Sequence, residues 1–308
     1  MSNLGQLRCL FDTDDIVVVG DNSEFLRAVS ERGISGADIR TMEAFPDTVV
    51  SISFSDDAAR RTFVLASQNP NTKMIFCAAH VFDDSIESAI YSLDLMRKSN
   101  FKAALAKQKG VISFLETTQD IQLSGNGADC TVTLDGTTKP FALRKDINSP
   151  YVASVAEFFE VHFAHIKKNE PCPFHISGEL QIAGALSVLR PTGKDPYQGS
   201  RDDVSNFLKE IAAAKTVNLV ADNNEIVSFK IENRECVDFV RKIGGERGSQ
   251  LTEFAVGVNQ SISDEIDYRV NSQINEGIEG IHVAIGDAVT GYHIDLLCPG
   301  VQINNASR

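Results

Sequence analysis

Within its first 120 residues the chain three times sets a short apolar run ahead of a segment with helical spacing. Ile16–Gly20 (IVVVG) is followed by a turn and by Phe25, Leu26 and Val29, spaced as on one helix face. Val49–Phe54 (VVSISF) precedes SDDAARRTFVLASQ, whose early aspartates suit a helix N-terminus. Lys73–Ala79 (KMIFCAA) precedes the long segment DDSIESAIYSLDLMRKSNFKAALAKQKG, after which Val111–Thr117 (VISFLET) reads as a further strand. Strands that alternate with helices form a parallel sheet covered on both faces, so the N-terminal part is expected to be an α/β domain.

Past Gly125 the pattern changes. Turn residues cluster and the strands shorten and alternate, as in TVTLDG. The boundary is therefore expected near Ile121, dividing residues 1–120 (α/β) from 121–308, an α+β or mainly β domain. The second part reads as a helix over Pro150–Lys168, a hairpin VNLVADNNEIVSFKI turning at Asn223 and Asn224, a short helix over Cys236–Lys242, and three terminal strands.

Composition removes several function classes. No apolar run approaches the roughly 18 residues of a membrane helix, and MSNLGQLRCLFDTDD lacks the basic and apolar regions of a secretory signal, so no membrane association and a soluble, cytoplasmic setting are expected. Six cysteines without a CxxC pair argue against a thiolate zinc site or a disulfide framework. A net charge of −13 without a basic stripe argues against nucleic acid as a partner. Gly20 follows a strand, but VVVGDN lacks the further glycines of a dinucleotide site.

The chemistry concentrates near the C-terminus. In GYHIDLL, His293 and Asp295 are two apart on a strand and share a face, so both can reach one ion. In EGIHVAIG, His282 stands among apolar residues. A satisfied core histidine and a surface His–Asp pair are the plain alternatives. Glu253 (LTEFAVGVN) and Glu179 (HISGELQIAG) have apolar flanks, and a carboxylate rarely goes inside without a partner or a metal. Either could instead cap a turn or meet Arg144, Arg190 or Arg241. Two histidines and three carboxylates suit zinc, manganese, cobalt or iron. Of the remaining histidines, His162 and His165 are read as helix surface, His80 as the end of a sheet strand without an evident partner, and His175 as a candidate support for Glu179.

SGELQIAGAL, TEFAVGVN, IHVAIG and GYHIDLL occur in the order in which the aminopeptidase T family of metallopeptidases carries a GE segment, an E-x-x-x-G-x-N segment, an H-x-A-x-G strand and an H-x-D strand. GADCTVTLDG also resembles the strand that opens that family's second domain, so the resemblance spans about Gly125 to Leu297. It implies Glu179, Glu253, His282, His293 and Asp295 as metal ligands, with one glutamate able to bridge two ions and Glu253 in the catalytic role. The implied cofactor is divalent zinc, cobalt or manganese. Only DAVTGY separates Gly286 from His293, where family members carry a tyrosine-bearing loop and an insertion. The nearby Tyr292 should point to the opposite strand face. INSPYVASVAEFFEVHFAHIKKNEPCPF is a further insertion ahead of the GE segment.

Three functions follow from the resemblance. The first is a metal-dependent hydrolase that activates water to cleave a peptide or small amide. The second is an Fe(II) ring-cleaving dioxygenase using His282, His293 and Asp295, since such enzymes resemble the same family. The third is a non-catalytic member that binds a peptide or partner protein, for example during maturation of a ribosomal peptide product. The resemblance also implies a homodimer or a dimer with a related chain.

Overall fold

The computed structural model of the chain describes residues 3–189 and 201–306. Helix α1 (Gln6–Phe11) leads into β1 (Val17–Gly20), α2 (Ser23–Glu31), β2 (Ser35–Asp38), β3 (Thr48–Ile52), α3 (Asp56–Gln68) and β4 (Lys73–Cys77). Three helices then follow in succession, α4 (Ala79–Phe82), α5 (Ile86–Lys98) and α6 (Phe101–Thr117). Strands β5 (Asp120–Gly125), β6 (Ala128–Leu134), β7 (Tyr151–Ser154), β8 (Glu160–Ala164), β9 (Phe174–Gln181) and β10 (Gly184–Val188) come next. The chain finishes with α7 (Arg201–Ala213), β11 (Val217–Asp222), β12 (Glu225–Ile231), β13 (Arg234–Glu235), α8 (Val237–Ile243), β14 (Leu251–Gly257), β15 (Gly280–Ile285), β16 (His293–Pro299) and β17 (Gln302–Asn305).

The strands form a parallel sheet in the order β2-β1-β3-β4-β7 and two antiparallel sheets, β10-β16-β15-β14-β8 and β13-β12-β11-β9-β6-β5-β17. This is the expected mixed architecture, α/β first and antiparallel β after it. The inner parallel strands β1, β3 and β4 are apolar because both faces are covered, and every residue of β3 is buried. Polar caps start the crossover helices. The Asn22 side chain accepts from the backbone N–H of Glu24 and Phe25, and Ser55 and Ser85 cap α3 and α5. Asn223 and Asn224 turn the β11–β12 hairpin with φ of 49° and 69°, a conformation asparagine tolerates.

Two readings of the sequence are corrected. Val111–Thr117 is the end of α6, because buried Phe101, Ala104, Gln108, Val111 and Leu115 run down one continuous helical face. Pro150–Lys168 is not a helix. Its spacing of Val155, Phe158, Phe159 and Phe163 fits helical periodicity, yet Tyr151–Ser154 pairs with β4 and Glu160–Ala164 pairs with β14. Pairing in the finished structure overrides the local pattern. The parallel sheet consequently takes its fifth strand from beyond Ile121, and one buried apolar cluster runs from Ile75 through Leu123 to Ile281.

Candidate metal centre

The antiparallel sheet β10-β16-β15-β14-β8 carries a polar patch on one face. Cross-strand partners point the same way, and the register aligns His162 with Ala255 and Ala255 with His282. The next row aligns Ala164 with Glu253, Glu253 with Ala284, and Ala284 with Asp295. Glu160 opposes Gly257, and His293 shares the face of Asp295 by alternation. Alternate residues Val161, Phe163, Phe254, Val283 and Leu296 are buried on the opposite face. The donors are thus interleaved with Ala164, Ala255, Ala284 and Gly257, whose small side chains leave room between them.

Two groups of donor atoms result, Glu160–Glu253–His282 and Glu253–His293–Asp295, each with its atoms within 4.8 Å of one another. Glu253 belongs to both. Its Oε1 lies 3.6 Å from His282 Nε2, and its Oε2 lies 3.5 Å from His293 Nε2. His282 Nε2 is also 3.6 Å from Glu160 Oε2, and His293 Nε2 is 3.1 Å from Asp295 Oδ1. Both histidines turn Nδ1 toward a backbone carbonyl, His282 to Glu276 at 3.1 Å and His293 to Gly286 at 3.4 Å. That arrangement fixes the tautomer that leaves the Nε2 lone pair for the carboxylate cluster, as metal-binding histidines require.

With no cation between them, the carboxylates and imidazoles perturb one another strongly. Burial acts to raise the Glu253 carboxyl, but His162, His282 and His293 outweigh it and bring it down to about 2. Burial acts to lower His293 and His162; Asp295 and Glu253 lift the first to about 9, and Glu253 and Glu160 lift the second to about 9. The neighbouring Glu276 carboxyl is pushed well up by burial and by Asp295, Glu160 and Glu253. Glu160 Oε2, Asp295 Oδ2 and His162 Nδ1 are buried without a hydrogen-bond partner among the described residues. Buried polar atoms are rarely left so, and cations held at the two donor groups would give the Glu160 and Asp295 oxygens partners. The oxygen and imidazole donors fit divalent zinc, manganese, cobalt or iron.

The sequence profile of one family, described as crocagin biosynthetic protein CgnE/B, matches residues 13–306. The chain belongs to the CgnE/B family. In structure this CgnE/B member is similar to wild-type AmpT from Thermus thermophilus, at 12% identity and a TM-score of 0.48 over 97% of this chain and 94% of that one. It is also similar to 2,5-dihydroxypyridine dioxygenase from Pseudomonas putida KT2440, at 10% identity and a TM-score of 0.48 over 99% and 94%. No curated protein matches the sequence.

A cleft of about 480 Å³ opens onto the second donor group of this CgnE/B chain, with Glu253 and His293 in its wall. Ile166 and Val289, 70% and 46% exposed, give it an apolar lip. Buried Arg247 holds the rim by donating to the carbonyl of His165, whose Nδ1 lies 2.8 Å from the guanidinium. Tyr292 faces away from this cleft and lines a separate cavity with His80 and Ser187.

Of the residues singled out in the sequence, Glu253, His282, His293 and Asp295 meet at the centre. Glu179 lies elsewhere, on β9 in the other antiparallel sheet, exposed and flanked across the register by Asp129 and Val220. His175 is exposed on the same strand and so does not support the centre. Glu160 and His162 occupy it instead. Their signal is the period-two run EVHFA, in which Glu160, His162 and Ala164 alternate with buried Val161 and Phe163. His80 does have partners, Ser53 Oγ at 2.9 Å and Asp56 at 3.3 Å. Arg144 pairs with Glu116 and Arg241 bonds the Ile226 carbonyl, whereas Arg190 lies outside the described residues.

Proposed function

We propose that this CgnE/B member is a metal-dependent hydrolase that cleaves a peptide or related amide on two divalent ions. The observation that carries the reading is the sharing of Glu253 between two donor groups, one carboxylate oxygen facing each. Divalent ions at such a centre lower the pKa of a bound water and polarise a carbonyl. The chain's own residues supply the rest. The carbonyls of Glu276 and Gly286 orient the two imidazoles, and the apolar lip of Ile166 and Val289 suits an apolar side chain beside the reacting amide. The family's description supports an intermediate of crocagin biosynthesis as the substrate.

The dioxygenase alternative needs His282, His293 and Asp295 as one set. Asp295 Oδ1 is 3.1 Å from His293 Nε2 but 4.0 Å from His282 Nε2, and among the described residues no donor group contains both histidines. The hydrolytic reading fits this division better. The buried unpartnered oxygens of Glu160 and Asp295 favour a member that holds a cation over one that binds a peptide without metal.

Peptide amides incubated with zinc-, cobalt- or manganese-loaded protein and followed by mass spectrometry test the reading. Cleavage is expected, and Glu253→Gln should reduce it by more than about 100-fold, the upper end for groups that only orient ligands. Equal cleavage by the variant, or none by the loaded wild type, counts against it.

A further inference from the structure

His162 is not among the mutually close donors of either group, yet its position in the sheet is that of a ligand. It shares the face of β8 with Glu160, and in the register it lies across Ala255 from His282. Strands in a sheet are about 4.8 Å apart, so two imidazoles flanking an alanine can lean toward a common point above its methyl group. His162 Nδ1 is 3.1 Å from Glu160 Oε1 and 3.9 Å from Glu253 Oε1. That nitrogen is buried and lacks a hydrogen-bond partner among the described residues.

The ring is held there from outside. Phe141 stacks on it with centroids 5.2 Å apart and planes 27° from parallel. The two backbones bridge reciprocally, Phe141 N–H to the His162 carbonyl at 2.7 Å and His162 N–H to the Phe141 carbonyl at 3.0 Å. A side chain ordered in this way loses little further freedom when its nitrogen is engaged.

We infer that His162 is a metal ligand, completing a closed four-donor position with Glu160, Glu253 and His282. The position formed by Glu253, His293 and Asp295 keeps three protein donors and stays open to the cleft. This rests on the two-ion reading above and deepens it, because it makes the two ions unequal. Four protein donors saturate a tetrahedral ion, and three leave a site for water or substrate. The placement of the cleft agrees: Glu253 and His293 line it, and Glu160, His162 and His282 do not.

The full-length protein is stripped with chelator and titrated with cobalt(II) under inert gas, following the visible spectrum and the bound stoichiometry. Wild type is expected to take up two ions per chain, the first with the intense absorption of a four-coordinate site. His162→Gln should weaken one of the two by at least about 10- to 100-fold and lose that absorption. Two ions bound by a folded His162→Gln with unchanged affinity and spectrum would overturn the assignment. Should the variant fail to fold, proton NMR of the cobalt-loaded wild type decides. Three strongly shifted imidazole N–H signals are expected from His162, His282 and His293, whereas two would exclude His162. Wild type that binds fewer than two ions refutes the two-ion reading itself, which separates that failure from a failure of His162.

Discussion

Three carboxylates, Glu160, Glu253 and Asp295, and three imidazoles, His162, His282 and His293, crowd one sheet face, and in the absence of cations they must neutralise one another. The consequence is a pH signature of the chelator-treated protein. His162 and His293 stand at about 9 in the fold against an ordinary 6.5, so their contribution to stability is complete below pH 6.5 and is lost as the pH rises to about 9. Glu253, at about 2 against 4.5, contributes fully above pH 4.5 and loses its contribution as the pH falls toward 2. The melting temperature of the metal-free protein should therefore drop between pH 6.5 and 9. The stabilisation added by metal should grow over the same range, because ligation needs neutral imidazoles. Differential scanning fluorimetry with and without zinc reads both, and a metal-free melting temperature that climbs over this interval contradicts the assignment. At this scale His282, His293, Asp295 and Glu253 are legible in the sequence, since polar groups in apolar strands need a reason. Glu160 and His162 are hidden because Val155, Phe158, Phe159 and Phe163 around them are spaced for a helix as well as for a strand.

Strands rather than loops carry the donors, and the sheet register decides which of them meet. Ala255 and Ala284, both fully buried, hold the spaces between His162 and His282 and between Glu253 and Asp295. Ala255→Leu would fill the first space with an isobutyl group. It should cost about 1–3 kcal/mol, as overpacking of a well-packed site does, and should remove at least one ion from a protein that still folds. Metal analysis beside near-ultraviolet circular dichroism checks this, and full metal content in the variant would show that the donors converge elsewhere. The β14, β15 and β16 strands can be read from the sequence by their period-two pattern. In β8 the same pattern is confined to EVHFA and masked by neighbours spaced for a helix, and the strand lies within INSPYVASVAEFFEVHFAHIKKNEPCPF, the segment that looks like an insertion. Two donors come from there. Glu179 misleads for the complementary reason: its apolar neighbours Ile176 and Leu180 fill the core while the glutamate faces outward, so apolar flanks did not mean a buried carboxylate.

Across the whole molecule, residues 151–164 bind the parallel sheet to the sheet that carries the donor groups, one strand in each, with Phe158 and Phe159 packed between them against Phe101 of α6. The change of pattern past Gly125 marks where helical crossovers give way to hairpins. It does not mark where the chain stops contributing to the first sheet. The match to the CgnE/B family extends over residues 13–306, across both parts, in keeping with a core that is continuous from one to the other. Among the described residues no helix is long and apolar enough to cross a membrane. The proposed pair of unequal divalent ions sharing Glu253 is tested most directly by anomalous scattering from crystals grown with zinc or cobalt. Two peaks roughly 3.5–4 Å apart are expected, one against Glu160, His162 and His282 and the other against His293 and Asp295, with the Glu253 carboxylate between them. Absence of any peak on this sheet face, or a single peak away from Glu253, would contradict it.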